Sequence, residues 1–443
     1  MTSTQSVVMN PSVSTHSLRL RVPGDKSISH RAVMLGALAT NSSTFYGFLE
    51  SQDCLNTLHI FSNLGVHSQL KNGVLCIDGV GLKGLMAPHH QLDCGNSGTG
   101  IRLITGVLAA QSFDSIISGD ASIQTRPMKR IIDPLSRMGA RVSGVATATD
   151  MVPPLVIHGG ATIRGIDYEM GIASAQVKSS ILLAGLYANG VVRVTEPRET
   201  RDHTERLIRG FGGAIEWGDQ LVTLNPSQLL NPHPDRPIQI PGDFSSAAFF
   251  LAYGAVVRPI ELVMVGMNPT RTRFLDVLNA MGARIECSDY SGDDMEPYAT
   301  IRISPSELNN IEVPPEWVPN LIDEIPILAI LALFARGELV VRQASELRVK
   351  ESDRIQSIAQ LIQKMGGQIE TMPDGLKVTG GSSILEFEAN SNGDHRIAMA
   401  GIMGGLMGHV RCMMHGVSCI STSFPTFFEC ISEIGASIEW LDI

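Results

Sequence analysis

Apolar and polar positions along this chain predict short strands joined to amphipathic or buried helices. The apolar run Leu18–Val22 has the length of a strand, and a helical pattern over Ala32–Ala39 follows it after a Gly-containing turn. The longest apolar run, Ile325–Ala335, is interrupted by Pro326 and is typical of a buried core helix. It is shorter than the ~20 apolar residues that span a bilayer.

A short phrase that ends a helix and begins a strand recurs along the chain. Each copy has an apolar residue, Gly and a small residue, and each follows a helical pattern. Glycine in the left-handed conformation ends a helix and lets the chain turn into a strand. Five copies lead into strand-like segments and the first is the weakest, so we predict one supersecondary unit present six times, three in each half. The copies are Leu64-Gly65-Val66, Met138-Gly139-Ala140, Phe211-Gly212-Gly213, Met281-Gly282-Ala283, Met365-Gly366-Gly367 and Ile434-Gly435-Ala436.

Both halves also open with similar chemistry. The sequence Val22-Pro23-Gly24-Asp25-Lys26-Ser27 is repeated as Ile240-Pro241-Gly242-Asp243-Phe244-Ser245. This second repetition supports an internal duplication with a half boundary near residues 240–243.

Composition narrows the class of protein. The 443 residues are too many for one core, and the net charge of −10 argues against nucleic acid or an anionic membrane as partner. Seven scattered cysteines without a C-x-x-C pair indicate reduced thiols in a cytosolic protein, not a disulfide framework or a zinc site. The segment Met1–Ser17 lacks the apolar core of a signal peptide and the arginines of a transit peptide, so we expect a frayed tail.

The segment Pro23–Arg31 is the first candidate anion site. A strand, a Gly turn and a helix start place backbone N–H groups and the helix dipole where they favour an anion. Lys26, Ser27 and Arg31 add a point charge, a hydroxyl and a bidentate fork. The alternative is a capped helix with a solvated basic first turn.

Two further segments combine a helix start with an anion-binding pattern. In Gly95–Arg102, small residues let the backbone approach a ligand before an apolar helix, although a simple turn explains them equally well. In Thr125–Arg130, Pro127 suits a helix start, which would place Arg126 at its mouth, with Lys129 or Arg130 on a solvated basic face.

Uncharged donors and a basic residue occur in the next two segments. In Gly171–Ser180, capping alone explains Ser174, and Gln176 is the better candidate ligand. The segment Thr200–Glu205 carries Arg201 but is also compatible with a capping box.

Carboxylates that could transfer protons lie in the second half. Asp323 and Glu324 directly precede the most apolar helix, where a carboxylate is either an N-cap or a working base. Lys350, Glu351 and Arg354 are predicted within one helical turn, and a spacing of four residues would put Lys350 and Arg354 on one face. The alternative is a solvated, salt-bridged helix.

The segment Asp394–Met399 adds Arg396 and a titratable His395 before another helix. A lone histidine is usually structural. This acidic chain therefore has Lys or Arg near the start of several predicted helices. Such a pattern is suited to binding small polyanions.

These motifs together resemble the 5-enolpyruvylshikimate-3-phosphate synthase family from about Leu18 to the C-terminus. The matching motifs are Pro-Gly-Asp-Lys-Ser-x-Ser-x-Arg, Gly-Asn-Ser-Gly-Thr-x-x-Arg, Arg-Val-Lys-Glu-Ser-Asp-Arg and Asp-His-Arg-x-Ala-Met, in the family's order. Ser174-Ala175-Gln176 and Thr200–Glu205 resemble the branch that includes glyphosate-tolerant bacterial enzymes.

The resemblance implies an α/β fold with two similar domains, each of three βαβαββ repeats forming an inside-out α/β barrel, and an active site in the interdomain cleft. Residues 1–24 and 242–443 would form one discontinuous domain, and residues 25–241 the other. The implied reaction transfers the enolpyruvyl group of phosphoenolpyruvate to the 5-hydroxyl of shikimate 3-phosphate and releases phosphate. The resemblance further implies a cytoplasmic monomer without metal or organic cofactor, and glyphosate as a candidate inhibitor.

Motif positions also imply residue roles. Shikimate 3-phosphate, the acceptor, would contact Lys26, Ser27, Arg31, Ser174, Gln176, Arg201 and Lys350. Phosphoenolpyruvate, the donor, would contact Lys26, Gly98, Arg126, Arg354 and Arg396, and Asn96 and Thr99 count among the substrate-binding residues. Asp323 resembles the base for the 5-hydroxyl and Glu351 the acid–base at the methylene carbon, so the catalytic set is Asp323, Glu351 and Lys26.

The chain departs from the family pattern at one position, and two alternative functions have to be considered. Many relatives carry a Lys just before the last Phe-Pro pair, but this chain has Ser421-Thr422-Ser423-Phe424-Pro425, so that role is absent or moved. The sister enolpyruvyl transferase for UDP-N-acetylglucosamine uses a reactive Cys, and residues 119–126 contain none. A non-catalytic binding scaffold would not bring Asp323, Glu351 and Lys26 together.

Overall fold

The computed structural model describes residues 5–11, 18–226, 230–232, 236–292 and 295–442. Its α-helices are α1 (Lys26–Leu38), α2 (Gln52–Asn63), α3 (Gly98–Leu108), α4 (Lys129–Arg137), α5 (Ala175–Gly185), α6 (His203–Gly210), α7 (Phe244–Val256), α8 (Arg273–Ala280), α9 (Ile325–Leu331), α10 (Arg354–Lys364), α11 (His395–Gly408) and α12 (Phe427–Glu433). Short 3-10 helices cover Ile123–Thr125, Pro315–Asn320, Ala332–Phe334, Ser345–Val349 and Val417–Thr422.

The strands are β1 (Gln5–Asn10), β2 (Leu18–Leu20), β3 (Ser43–Tyr46), β4 (Ser68–Lys71), β5 (Val74–Ile77), β6 (Leu92–Asp93), β7 (Ser115–Ser118), β8 (Arg141–Ala146), β9 (Met151–His158), β10 (Arg164–Glu169), β11 (Asn189–Thr195), β12 (Ala214–Gly218), β13 (Leu221–Asn225), β14 (Ile238–Gln239), β15 (Ile260–Gly266), β16 (Arg284–Ser291), β17 (Tyr298–Ser304), β18 (Glu338–Val341), β19 (Gln368–Met372), β20 (Gly375–Thr379), β21 (Phe387–Asn390), β22 (Cys412–His415) and β23 (Ser437–Asp442).

The chain divides into two compact units. The N-terminal unit consists of Gly24–Ile240 and Gly292–Glu296, and the C-terminal unit of Met1–Pro23, Pro241–Ser291 and Pro297–Ile443. Each unit has its own continuous cluster of buried apolar side chains. The short segment Gly292–Glu296 therefore belongs to the N-terminal unit although it lies between β16 and β17 in the chain.

One sheet pattern recurs in both units. In the N-terminal unit, the strand orders are β14-β3-β5-β4, β6-β7-β9-β8 and β10-β11-β13-β12, and in each the first pair is parallel and the others are antiparallel. The C-terminal unit repeats it with β2-β15-β17-β16 and β21-β22-β1-β23. In place of a first strand, the sheet β18-β20-β19 has isolated parallel bridges, Asn309 to Arg336 and Glu312 to Val340. These sheets and their helices form the predicted βαβαββ repeats, and the α/β class is confirmed.

All six repeat glycines adopt positive φ, between 81° and 99°. Each follows a helix by a short turn, as predicted from the sequence. The first copy also leads into a strand, β4, which begins three residues after Gly65, whereas each of the others leads into a strand two residues after its glycine. This extra residue explains why its pattern is weak in the sequence.

The expectation of a frayed tail over Met1–Ser17 is wrong for Gln5–Asn10. Strand β1 pairs antiparallel with both β22 and β23, and Val7, Val8 and Met9 are buried. The apolar run Val7-Val8-Met9 is too short to stand out next to Ser- and Thr-rich neighbours. Residues 1–4 and 12–17 of that segment lie outside the described residues.

Candidate active site

The first basic cluster lies at the start of α1 in the N-terminal unit. Asp25 caps the helix by accepting a hydrogen bond from the Ile28 backbone N–H at 2.9 Å. Lys26 forms an ion pair with Asp53 in the first turn of α2, and its side chain is 20% exposed. The helix is therefore capped, as the alternative interpretation held, but its first turn is largely enclosed and not a solvated basic face.

Arg31 is buried at the centre of this cluster. Its Nη1 donates to the Ser27 carbonyl at 2.8 Å, its Nε to Thr204 Oγ1 at 2.6 Å, and its Nη2 to Ser179 Oγ at 2.8 Å. Burial lowers the pKa of Arg31 to about 10; the nearby carboxylate of Glu205 opposes this shift and the like charge of Arg201 adds to it. The guanidinium remains charged at neutral pH, and it connects α1 to α5 and α6.

A second group of predicted residues meets at the start of α3. Ser97 caps this helix through the Gly100 N–H at 2.9 Å. Gln176 Nε2 donates to Thr99 Oγ1 at 3.0 Å, and Arg126 Nη2 donates to Asn96 Oδ1 at 2.9 Å. The segment is therefore more than a turn, because it holds two side chains that other elements supply.

Gly98 lies directly against this arginine. A Cβ at position 98 would be 2.7 Å from Arg126 Nη1 and 3.2 Å from Arg102 Nη1. A methyl group there requires the guanidinium of Arg126 to move. The absence of a side chain at Gly98 is thus what allows this arginine to approach the helix start.

Two details of the N-terminal unit differ from the sequence expectations. Helix α4 begins at Lys129 with Met128 at the N-cap, so Arg126 precedes the mouth of the helix by two residues instead of lying at it. The capping box in Thr200–Glu205 is wrong: Asp202 accepts hydrogen bonds from Arg206 and Trp217, and Glu205 pairs with Lys178. Ser174 does cap α5, accepting from the Val177 N–H at 3.4 Å.

In the C-terminal unit, Arg354 is the centre of a cluster of carboxylates. Its side chain is 1% exposed. It donates to Asp394 at 2.8 Å, to Glu351 at 2.6 Å and to Asp323 at 3.2 Å. Burial alone would lower its pKa, but the carboxylates of Asp394, Glu351 and Asp323 raise it, so Arg354 is permanently charged.

Asp323 is held by a second arginine as well. Arg396 Nη1 donates to the Asp323 carbonyl at 3.0 Å, and its Nε lies 3.8 Å from Asp323 Oδ1. Asp323, Glu351, Arg354 and Arg396 are therefore in direct contact within this unit. Burial lowers the pKa of Lys350, and the nearby charge of Asp323 opposes this shift.

The predicted shared helix face of Lys350 and Arg354 is wrong. Lys350 ends a 3-10 helix, and α10 begins at Arg354 because Asp353 caps it through the Gln356 N–H. The chain bends between them, which lets Glu351 fold back onto Arg354. A solvated salt-bridged helix is also excluded, since Arg354 is buried.

Neither carboxylate before α9 acts as a side-chain cap. Glu324 occupies the N-cap position without a capping bond and accepts a hydrogen bond from Ser245, which in turn accepts from Arg271 at 2.8 Å. Glu324 therefore holds the N-cap position, as one of the two interpretations expected, but its carboxylate does not cap the helix. Asp323 is not the N-cap, and its carboxylate contacts Arg354 from another element.

Sequence reasoning missed three residues that organise these clusters. Arg102 donates to Gln176 Oε1 at 2.6 Å, Asp394 binds Arg354, and Lys178 is buried between Glu196 and Glu205. All three lie inside segments that the sequence singled out: Arg102 in Gly95–Arg102, Lys178 in Gly171–Ser180 and Asp394 in Asp394–Met399. The signal for Lys178 is a single lysine in a helix that is mostly uncharged.

No group of three or more metal-ligating side chains is arranged to hold a metal ion among the described residues. Within the same part of the chain, no helix has the length and apolar character of a membrane span.

Two clusters of charged and titratable side chains on α/β repeats are typical of an enzyme that acts on small anions. Comparison with known proteins identifies the family. The family model described as EPSP synthase (3-phosphoshikimate 1-carboxyvinyltransferase) matches residues 13–431, and the chain belongs to this family.

Relatives and solved structures agree with this assignment. The chain is 44% identical over 432 residues to 3-phosphoshikimate 1-carboxyvinyltransferase of Citrifermentans bemidjiense, covering 97% of this chain and 99% of that protein. It is 47% identical over 423 residues to the enzyme of the same name from Nitrosococcus oceani, covering 95% and 94%. A solved structure of EPSP synthase from Acinetobacter baumannii has a TM-score of 0.87 and 43% identity, covering 99% of this chain and 100% of that chain.

Proposed function

We propose that the two clusters together carry out the family reaction on one pair of substrates. The chain is a 3-phosphoshikimate 1-carboxyvinyltransferase, which transfers the enolpyruvyl group of phosphoenolpyruvate to the 5-hydroxyl of shikimate 3-phosphate and releases phosphate. The sister reaction on UDP-N-acetylglucosamine is not favoured by any of these relatives. The role of each residue in this reaction is part of the proposal.

The observation that carries the assignment is the position of Arg354. This buried arginine, a proposed donor contact, lies within hydrogen-bond distance of both candidate proton-transfer groups, Asp323 and Glu351. A donor carboxylate or phosphate bound to Arg354 and Arg396 would therefore lie beside both acids. This is the proximity that general acid–base catalysis needs.

The proposed mechanism follows from these placements. C3 of phosphoenolpyruvate is protonated, with Glu351 and Lys26 as the candidate acids, while Asp323 accepts the proton of the 5-hydroxyl as its oxygen attacks C2. The tetrahedral intermediate then loses phosphate, and Glu351 takes a proton from the methyl group to restore the double bond. The charged groups around the donor offset the negative charge that develops on the leaving phosphate.

Acceptor binding is assigned mainly to the N-terminal unit. Arg31, Ser27, Ser174, Gln176 and Arg201 supply charged and neutral donors there, and Lys350 supplies one from the C-terminal unit. Asn96, Thr99, Gly98 and Arg126 surround the start of α3, where backbone N–H groups favour an anion. Lys26 would contact both substrates.

We further propose that glyphosate competes with the donor and that the chain acts as a cytoplasmic monomer. The similarity of Ser174-Ala175-Gln176 and Thr200–Glu205 to the glyphosate-tolerant branch supports a reduced sensitivity. The missing Lys before Phe424 supports weaker inhibitor binding as well. Gly98 has the opposite effect, since it leaves room for the longer inhibitor.

A coupled phosphate-release assay tests the reaction. Phosphate should appear only when phosphoenolpyruvate and shikimate 3-phosphate are both present, and not when UDP-N-acetylglucosamine replaces the acceptor. Release with the nucleotide sugar, or without any acceptor, would contradict the proposal.

A further inference from the structure

Lys178 is the only charged residue of α5, yet its side chain is 1% exposed. Its Nζ lies 2.7 Å from Glu205 Oε1 and 2.9 Å from Glu196 Oε2, and both carboxylates are buried. The attraction of these two carboxylates outweighs burial and raises the pKa of Lys178. Burying three charged groups is costly, so such a cluster calls for a function other than stability.

The three partners of Lys178 bracket one short stretch of chain. Glu196 follows β11, Glu205 lies in the first turn of α6, and Lys178 Nζ also donates to the Thr200 carbonyl at 3.4 Å. Thr200 Oγ1 donates to Glu196, which closes the loop from the other side. We call the residues between β11 and α6 the 196–202 segment. Lys178 ties this segment to α5 at Glu196 and at Thr200, the residue before Arg201.

A neighbouring set of hydrogen bonds joins the same helices to Arg31. Ser179, the residue after Lys178, accepts from Thr204, the residue before Glu205, at 2.7 Å, and Arg31 donates to both hydroxyls. Arg201 is close enough to Arg31 for its like charge to lower the pKa of Arg31. Keeping two like charges near each other costs free energy, which the contacts between the 196–202 segment and α5 can offset.

We propose that Lys178, with Glu196 and Glu205, is a positioning residue that holds the 196–202 segment so that Arg201 stays beside Arg31 for the phosphorylated acceptor. This inference rests on the proposed function, because it takes Arg31 and Arg201 as acceptor contacts. Lys178 itself touches no substrate. Its effect should therefore appear in acceptor binding and pass through Arg201.

The main test removes one buried charge of each sign. In Lys178→Met/Glu205→Gln the net charge is unchanged, and Glu196 keeps its hydrogen bond from Thr200. The affinity for shikimate 3-phosphate, measured by calorimetry, should fall about tenfold, as expected for loss of a charge-assisted contact, while the KM for phosphoenolpyruvate changes less than threefold. The exposed pair Lys377–Glu338 provides the matched control, Lys377→Met/Glu338→Gln, which should change neither constant.

A thermodynamic cycle separates positioning from general structural support. Arg201→Ala should weaken acceptor binding, and adding the Lys178/Glu205 changes to it should cause less than a twofold further loss. Independent losses that multiply, equal losses for both substrates, or no loss at all would overturn the positioning role alone. If Arg201→Ala itself leaves acceptor binding intact, the proposed acceptor site is overturned together with this inference.

A milder variant covers the case in which the double variant does not fold. Thr200→Val removes only the hydroxyl that bonds Glu196 and leaves every charge in place. It should weaken acceptor binding by about fivefold, the equivalent of one hydrogen bond, with an unchanged KM for the donor. An acceptor affinity equal to that of the wild type in this folded variant would overturn the proposal.

Discussion

The starts of α1 and α7 share a backbone and differ in chemistry. Asp25 and Asp243 have nearly the same conformation, with φ of −63° and −64° and ψ of 125° and 119°, and both cap a helix that follows Pro-Gly. The next residue is Lys26, ion-paired with Asp53, in one unit, and Phe244, buried in the apolar core, in the other. The repeated fold supplies both helix starts, and the residue after the capping aspartate decides whether the start carries a charged side chain or contributes to the core.

The second mouth is also neutralised. At the start of α7, Arg271 lies against Asp243 and Ser245, and Ser245 bonds Glu324. The positive end of the helix thus faces the carboxylate of Asp243, and the positive charge of Arg271 lies against the same carboxylate. The charged groups proposed for catalysis in the C-terminal unit come from other elements, around Arg354.

Removal of Lys26 is the strongest test of the difference between the two helix starts. Lys26→Met should lower kcat/KM about 10²- to 10³-fold, the loss expected when a charged donor to a developing anion is deleted. Steady-state kinetics with both substrates measures this. Lys377→Met, which also removes an ion-paired lysine, is the control and should retain full activity. A Lys26 variant with near wild-type turnover would mean that its ion pair with Asp53 is purely structural.

The charged cluster of the C-terminal unit provides the next largest effect. Asp323→Asn should lower turnover by about 10²-fold with substrate affinities largely intact, because a general base contributes on that order. Single-turnover kinetics and calorimetry separate the two quantities. Asp276→Asn removes an exposed, ion-paired aspartate from α8 and should have no effect. Turnover within a few-fold of the wild type would reduce Asp323 to a partner of Arg354.

Gly98 tests how closely the N-terminal site is packed. Gly98→Ala should raise the inhibition constant of glyphosate by far more than the KM for phosphoenolpyruvate, by about tenfold or greater, since a single steric contact discriminates between ligands to that extent. The KM should also rise somewhat, because the new methyl group displaces Arg126. Inhibition kinetics give both constants. Gly171→Ala, where a Cβ meets nothing within 4 Å, is the control. Equal rises in both constants would reject the steric argument.

The smallest expected effect is at Phe244, the core residue at the start of α7. Phe244→Leu should destabilise the protein by about 1 kcal/mol through imperfect repacking, and leave kcat and both KM values unchanged. Thermal unfolding together with the coupled assay checks this. A change in either KM without loss of stability would show that the second mouth takes part in substrate binding after all.

Patterns within a few consecutive residues predict much of the fold and part of the candidate site. Helix-ending glycines, Pro-Gly-Asp caps and apolar runs are encoded within a few residues, so the repeats and the starts of α1, α3 and α7 could be predicted. The bend between Lys350 and Arg354 could not, because it depends on Asp353 acting as a cap and on Glu351 folding back onto a buried arginine. Lys178 was missed for a similar reason: its partners, Glu196 and Glu205, come from other elements, and spacing along the chain does not reveal them.

The placement of β1 has a consequence for synthesis. This strand is made among the first residues of the described chain, but its two partners, β22 and β23, are made last. A ribosome releases the N-terminus first, so Val7 and Val8 must wait for nearly the whole chain before their strand has neighbours on both edges. The N-terminal unit, which is almost continuous in sequence, can collapse much earlier. We expect the C-terminal unit to complete this sheet only once β22 and β23 have been synthesised, and chaperone dependence to concentrate there.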